Sequence, residues 1–186
     1  MLTITDHWVD QAQRIPSPNA GERPDPADIS LIVVHNISLP PGQFGGPHID
    51  DFFTNQLDPA GHPYFAEIAA MRVSAHFLVR RDGSLRQYVP CDRRAWHAGL
   101  SAWRGRENCN DFSIGIELEG TDTVPFASAQ YDGLVSLIHA LRRRYPGIDE
   151  DAIVGHEHIA PGRKTDPGPA FDWDGLWRRL AAGPEK

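Results

Sequence analysis

Apolar residues fall along this chain in two distinct rhythms. Ile29 to Val34 (ISLIVV) is almost unbroken in apolar and β-branched residues, the signature of a strand covered on both faces, and it runs into His35. Ser113 to Glu119 (SIGIELE) instead alternates, so Ile114, Ile116 and Leu118 project to one face and Gly115, Glu117 and Glu119 to the other. Between them, Ser74 to Arg80 and Ser84 to Pro90 read as a hairpin closed at Arg81-Asp82-Gly83, because Asp-Gly supports the geometry of a tight turn. The period becomes helical from Ser128 to Tyr145, where Tyr131, Leu134, Val135, Ile138, Leu141 and Tyr145 share a face and Pro146-Gly147 stops the run. Ile49 to Asn55 predicts a short helix, and Ala152 to Gly155 a short strand ending at His156. Trp173, Leu176, Trp177 and Leu180 predict a closing helix capped by Asp172. Strands and helices alternate, so the expected class is α/β: a single domain with a central mixed β-sheet flanked by α-helices.

Two stretches follow neither rhythm. Ile15 to Asp28 (IPSPNAGERPDPAD) is rich in Pro, Asp and Gly, and is expected to wrap the surface without forming an element. Residues 1–28 are accordingly read as a leader packed on a domain of residues 29–182. Pro40 to Pro47 (PPGQFGGP) is a loop whose three glycines make it the segment expected to be most mobile beside any site.

Composition narrows the function. The 186 residues suffice for one substantial core, and 25 acidic against 18 basic side chains leave a net charge of −7 with no basic tract. General binding to nucleic acid or to an anionic membrane needs a positive field, and the charge balance argues against both. A monomeric chain is expected. Met1 to Gln13 lacks the basic leader and apolar run of a signal peptide, and no segment approaches the roughly 20 apolar residues of a membrane span. Cys91 and Cys109 form neither a metal nor a redox spacing, so the expected compartment is the cytoplasm.

His35 and His156 each follow an apolar strand, and open sheets gather ligands just beyond the carboxyl ends of their strands, so both imidazoles can share one site. Downstream, Pro161 to Pro169 (PGRKTDPGP) leaves the backbone little choice. Asp166 precedes Pro167 and is steered towards extended geometry, from which Lys164, two residues earlier, projects to the same side. Two imidazoles and a carboxylate suit Zn²⁺ and leave a fourth position for water. The separation of His35 from His156 is not diagnostic, and His158 is a rival ligand two residues beyond His156. Most of the nine histidines must be surface or hydrogen-bonded side chains. Glu117 and Glu119 are either two solvated carboxylates or, in an interior strand, acids in need of a partner. A zinc-bound water is one such partner, and would make Glu117 a general base. Lys164 reads equally well as an ordinary exposed lysine.

The blocks HNISLPPGQFGG, RVSAHFLVRRDG, RAWHAG, GRENCNDFSIGIELEGTD and GHEHIAPGRKTDPGPAFDW closely resemble the AmpD-type 1,6-anhydro-N-acetylmuramyl-L-alanine amidases. These belong to the zinc-dependent type 2 N-acetylmuramoyl-L-alanine amidases, a group that also takes in the animal peptidoglycan recognition proteins. The resemblance covers Ile15 to Trp173, nearly the whole chain. It implies that His35, His156 and Asp166 stand at the zinc-ligand positions, that Glu117 and Lys164 stand at the catalytic ones, and that a central mixed sheet carries the site. It also places Asn36, Arg72, Trp96, Arg106 and Asn108 in blocks that line the substrate groove, with an anhydromuramyl peptide as the small-molecule substrate. Two rivals keep their place: a general murein amidase acting on polymeric wall, and a peptidoglycan-binding module without catalysis.

Overall fold

The computed structural model describes residues 1–183. In chain order its strands are β1 (Ile4–Thr5), β2 (Trp8–Val9), β3 (Gln13–Arg14), β4 (Ala20–Glu22), β5 (Leu31–Ile37), β6 (Phe77–Val79), β7 (Leu85–Gln87), β8 (Arg93–Ala95), β9 (Ala102–Trp103), β10 (Arg106–Glu107), β11 (Ser113–Glu119) and β12 (Ile153–Gly155). Its helices are α1 (His48–Phe53), α2 (Pro63–Ile68), α3 (Ser128–Arg144), α4 (His156–Ile159) and α5 (Trp173–Ala182). The central sheet has six strands in the order β12-β5-β11-β6-β7-β3. Every neighbouring pair in it is parallel except the β6–β7 hairpin, so the sheet is mixed.

Register explains how one sheet serves both core and site. Ile114 lies opposite Ile32 and Ile116 opposite Val34, and these residues join Leu118, Phe77, Leu134, Ile138 and Leu141 in one buried cluster under α3. Each such side chain removed from water contributes about 1.5–3 kcal/mol, so the α3 face binds the sheet strongly. Gln130, fully buried on α3, adds polar ties by donating to Glu119 O at 3.0 Å and Val79 O at 3.3 Å. At the hairpin, Gly83 has a φ of +83°, and its carbonyl lies 2.8 Å from where a Cβ on Gly133 would stand. Glycine at both positions lets the turn and α3 touch. The opposite sheet face is left to Leu31, Val33 and the polar series His35, Gly115, Glu117 and Glu119.

The hairpin, the β11 alternation and the main helix match expectation, while the leader does not. Gln13–Arg14 extends the central sheet as an edge strand beside Leu85–Gln87, and β4 pairs antiparallel with β8. Arg23, only 5 % exposed, donates to the carbonyls of Cys91, Asn110, Asp111 and Ser113. Backbone pairing and a buried guanidinium leave no hydrophobic rhythm to read. Helix α2 was also not expected, although His62 caps it through its ring and Pro63 occupies its first turn. No described helix is long and apolar enough to cross a membrane.

Candidate functional site

The parallel register of β5 and β11 sets Glu117 opposite His35, so a carboxylate and an imidazole stand side by side on the polar sheet face. His156 opens α4 directly after β12, which pairs with the other edge of β5, and reaches His35 from that side. Asp166 arrives on the loop between α4 and α5. Its carbonyl accepts from Glu157 N at 3.0 Å, and Asn36 Nδ2 donates to the neighbouring Pro167 O at 3.0 Å. A turn ends at Lys164, whose N–H donates back to Ala160 O at 3.1 Å. The Lys164 and Asp166 side chains line the same cavity.

Three donor atoms converge there. His35 Nδ1 lies 3.0 Å from His156 Nδ1 and 3.0 Å from Asp166 Oδ2, and His156 Nδ1 lies 3.1 Å from the same oxygen. His156 Nε2 sits 3.0 Å from Ala98 O, which can only accept, so in the neutral ring Nδ1 presents a lone pair. Burial pushes His35 down to about 4 against the pull of Asp166, leaving that ring neutral near pH 7. Burial acts to raise Asp166, but the His156 and His35 imidazoles beside it outweigh that and hold the carboxyl well below its usual range. A neutral imidazole and an ionised carboxylate are the states that metal ligation requires.

Lone pairs packed this closely repel unless a positive centre lies among them. Tetrahedral zinc with bonds of about 2.0 Å holds its ligand atoms about 3.3 Å apart, close to the spacing observed. The donor set thus fits a divalent cation of the zinc type. Among the described residues, His35, His156 and Asp166 are the one group of His, Cys, Asp and Glu that meets this test. His158 does not join them, since its Nδ1 accepts from Gly155 N at 2.9 Å and closes the first turn of α4.

Glu117 is 9 % exposed, and its Oε2 is buried without a hydrogen-bond partner. Burial, reinforced by the Asp166 charge, pushes its carboxyl well above the usual range, and the Lys164 ammonium acts in the opposite direction. Glu119, two residues on, is fully engaged. It accepts from Gly45 N at 2.6 Å, Arg80 Nη1 at 3.1 Å and Arg81 N at 3.2 Å. Arg80 also donates to Gly46 O at 2.8 Å, so the Pro40 to Pro47 loop is tied to the sheet at two glycines.

The cavity has a volume of about 590 Å³, and its walls include His35, Asn36, Trp96, Glu117, His156, Lys164 and Asp166 with Phe52, Tyr64 and Ile68. Of the five residues expected in the groove, the structure brings Asn36 and Trp96 to it. Asn36 also donates to Asp122 Oδ1 at 2.7 Å. Arg72 is exposed and turned back on Ala69 O and Met71 O at 3.2 Å each. Arg106 pairs with Asp28 and lies 3.7 Å over the Phe112 ring. Asn108 is exposed, with a φ of +56°, at the entry to the turn Cys109–Asp111. None of these three lines the cavity. The wall residues that the sequence did not single out include His97, Asp122 and Arg163. For His97 a signal existed, in the block RAWHAG beside Trp96.

Comparison with known proteins gives the same picture from outside. A family model described as N-acetylmuramoyl-L-alanine amidase matches residues 25–169. The chain is 60% identical over 172 residues to 1,6-anhydro-N-acetylmuramyl-L-alanine amidase AmpD of Citrobacter freundii, covering 92% of this chain and 91% of that one. It matches the crystal structure of a selenomethionine AmpD derivative with a TM-score of 0.90 and 59% identity, over 96% of this chain and 97% of the other. It matches Escherichia coli AmiD, in complex with the substrate anhydro-N-acetylmuramic acid-L-Ala-D-gamma-Glu-L-Lys, with a TM-score of 0.59 and 31% identity, over 96% of this chain and 65% of AmiD. The matched residues take in both histidines, the aspartate and the buried glutamate that meet in the cavity, and on this ground the chain belongs to the N-acetylmuramoyl-L-alanine amidase family.

Proposed function

We propose that this protein is a zinc-dependent amidase that cuts the amide between the lactyl group of 1,6-anhydro-N-acetylmuramic acid and the L-alanine of its stem peptide, in cytoplasmic muropeptide recycling. The observation that carries this reading is the meeting of His35 Nδ1, His156 Nδ1 and Asp166 Oδ2 in a cavity that also holds the unpartnered Glu117 carboxylate. Zinc held by these three residues would supply Lewis-acid polarisation and a water acidic near neutral pH.

Glu117 is the base. Its free Oε2 has no competing donor, so it can take the proton of an attacking water and return it to the leaving α-amine of L-alanine. Lys164, exposed at the cavity wall, supplies positive charge where the scissile carbonyl oxygen gathers negative charge. Trp96 offers an aromatic face to the sugar. Asn36 commits its amide hydrogens to Asp122 and Pro167, which leaves its carbonyl oxygen for the ligand. Arg72 follows the wall residue Met71 and would meet a stem peptide that extends outwards, whereas Arg106 and Asn108 stand off the cavity. The leader of residues 1–28 acts as a brace on the domain of residues 29–182, a role supported by the four carbonyls that Arg23 holds.

The reading is tested by offering the zinc-loaded protein anhydromuramyl-tripeptide and intact sacculi in parallel. Release of a peptide with a free L-alanine amine from the first alone, abolished by chelator, is the expected result. Equal release from sacculi would instead mark a general murein amidase, and no release from either would mark a binding module.

A further inference from the structure

His97 enters none of the chemistry above, yet it touches the metal-ligand set from behind. Its Nδ1 lies 2.9 Å from His35 Nε2, and its Nε2 lies 3.1 Å from Ser113 Oγ. The two rings meet edge to face, with centroids 5.0 Å apart and an interplanar angle of 85°. Everything around His97 fixes this pose. Its backbone N–H and that of Ala98 both donate to Asn110 Oδ1, at 3.0 and 2.8 Å. The ring lies against the backbone of Gly115, where an added Cβ would come within 2.4 Å of Cγ and 2.6 Å of Nδ1. Glycine at that strand position is what gives the ring its place on the sheet face.

Resting on the metal reading above, we propose that His97 is a positioning residue that selects the tautomer and fixes the ring plane of His35 through a relay from His35 Nε2 to His97 to the Ser113 hydroxyl. For His35 Nδ1 to offer its lone pair to a cation, Nε2 must carry the proton, and that proton needs an acceptor in a buried setting. His97 Nδ1 is that acceptor. Its own Nε2–H then donates to Ser113 Oγ, so both imidazole N–H groups of the relay have an acceptor. His156 achieves the same end more simply, by donating to Ala98 O. The ligand pair is thus held by two different acceptors, one a fixed carbonyl and the other a side chain open to mutation.

The experiment measures zinc affinity by chelator competition in wild type, His97→Phe, His97→Asn and Ser113→Ala, with thermal unfolding recorded for each variant with and without zinc. His97→Phe keeps a ring over Gly115 but removes the acceptor, and is expected to weaken zinc binding by about 10–100-fold. His97→Asn restores an acceptor oxygen near the Nδ1 position and is expected to recover most of that loss. Ser113→Ala removes only the far end of the relay and is expected to cost less than His97→Phe. Wild-type zinc affinity in a folded His97→Phe protein would overturn the proposal, as would an equal loss in His97→Phe and His97→Asn. Failure of the wild-type protein itself to bind zinc would overturn the metal reading and take this proposal with it.

Discussion

Replacing Arg80 by methionine removes one half of an ion pair that the fold has taken almost entirely out of water. The Arg80 side chain is 9% exposed and that of Glu119 2%, with Nη1 and Oε1 3.1 Å apart. At this separation and an effective dielectric constant of about 20, Coulomb attraction is about 5 kcal/mol. Removing one partner leaves the other charge buried, a loss of about 3–5 kcal/mol. Glu119 keeps the backbone donors Gly45 N and Arg81 N, which places Arg80→Met at the lower end of that range. A chain of this size loses about 2–4 °C of Tm per kcal/mol, so a fall of about 6–12 °C is expected. The loop that Arg80 holds at Gly45 and Gly46 should respond as well, with faster hydrogen exchange at the Gly45 amide and a higher KM for the muropeptide. The double variant Arg80→Met with Glu119→Leu should recover part of the stability, because it no longer buries an unpaired carboxylate. A Tm within 2 °C of wild type in folded Arg80→Met, by the scale above, would refute the reasoning about the buried pair.

Glu117→Gln should lower kcat by about 10²–10⁴-fold with zinc still bound, as read from turnover and metal content on one sample. In the zinc-free protein the same change should raise Tm at neutral pH but not near pH 4. A carboxyl whose folded pKa lies above its unfolded value near 4.5 destabilises the fold progressively as pH rises between the two, and Gln does not ionise. Trp96→Ala should raise KM for anhydromuramyl-tripeptide by more than Arg72→Ala or Arg106→Ala does, because only Trp96 lines the cavity. Unchanged kinetics in Trp96→Ala would remove the ring from the sugar subsite. Arg23→Met should destabilise the domain by several kcal/mol in denaturant unfolding, since it leaves four carbonyls short of a donor.

How much of this was legible in the sequence depends on whether a feature leaves a period behind. The strand Ser113–Glu119 and the helix Ser128–Arg144 bury apolar faces at periods of 2 and 3.6 and are legible nearly to the residue, whereas the unbroken run Ile29 to Val34 marks the strand Leu31–Ile37 but misses its start by two residues and its end by three. The strands Gln13–Arg14 and Ala20–Glu22 join sheets through backbone hydrogen bonds that any side chain permits, so a Pro-rich and Gly-rich leader concealed them. For the site, His35 and Glu117 could be placed at sheet positions, but their adjacency is a register between strands 82 residues apart (117 − 35), which spacing alone does not state. His97 is harder still. Its role depends on the absence of a side chain at Gly115, and a glycine in an alternating strand reads simply as a polar-face position. The tethering of the Pro40 to Pro47 loop was hidden because the partners of its glycines are charges distant in sequence, Glu119 at the end of β11 and Arg80 just after β6.

The central claim is that one cation is held by His35, His156 and Asp166 and that turnover depends on it. The most direct measurement is zinc content per chain, determined together with anhydromuropeptide hydrolysis, in wild type and Asp166→Ala. One zinc per chain in wild type, with Asp166→Ala losing metal and turnover together, is the predicted result. Undiminished hydrolysis by protein shown to be free of metal would contradict it.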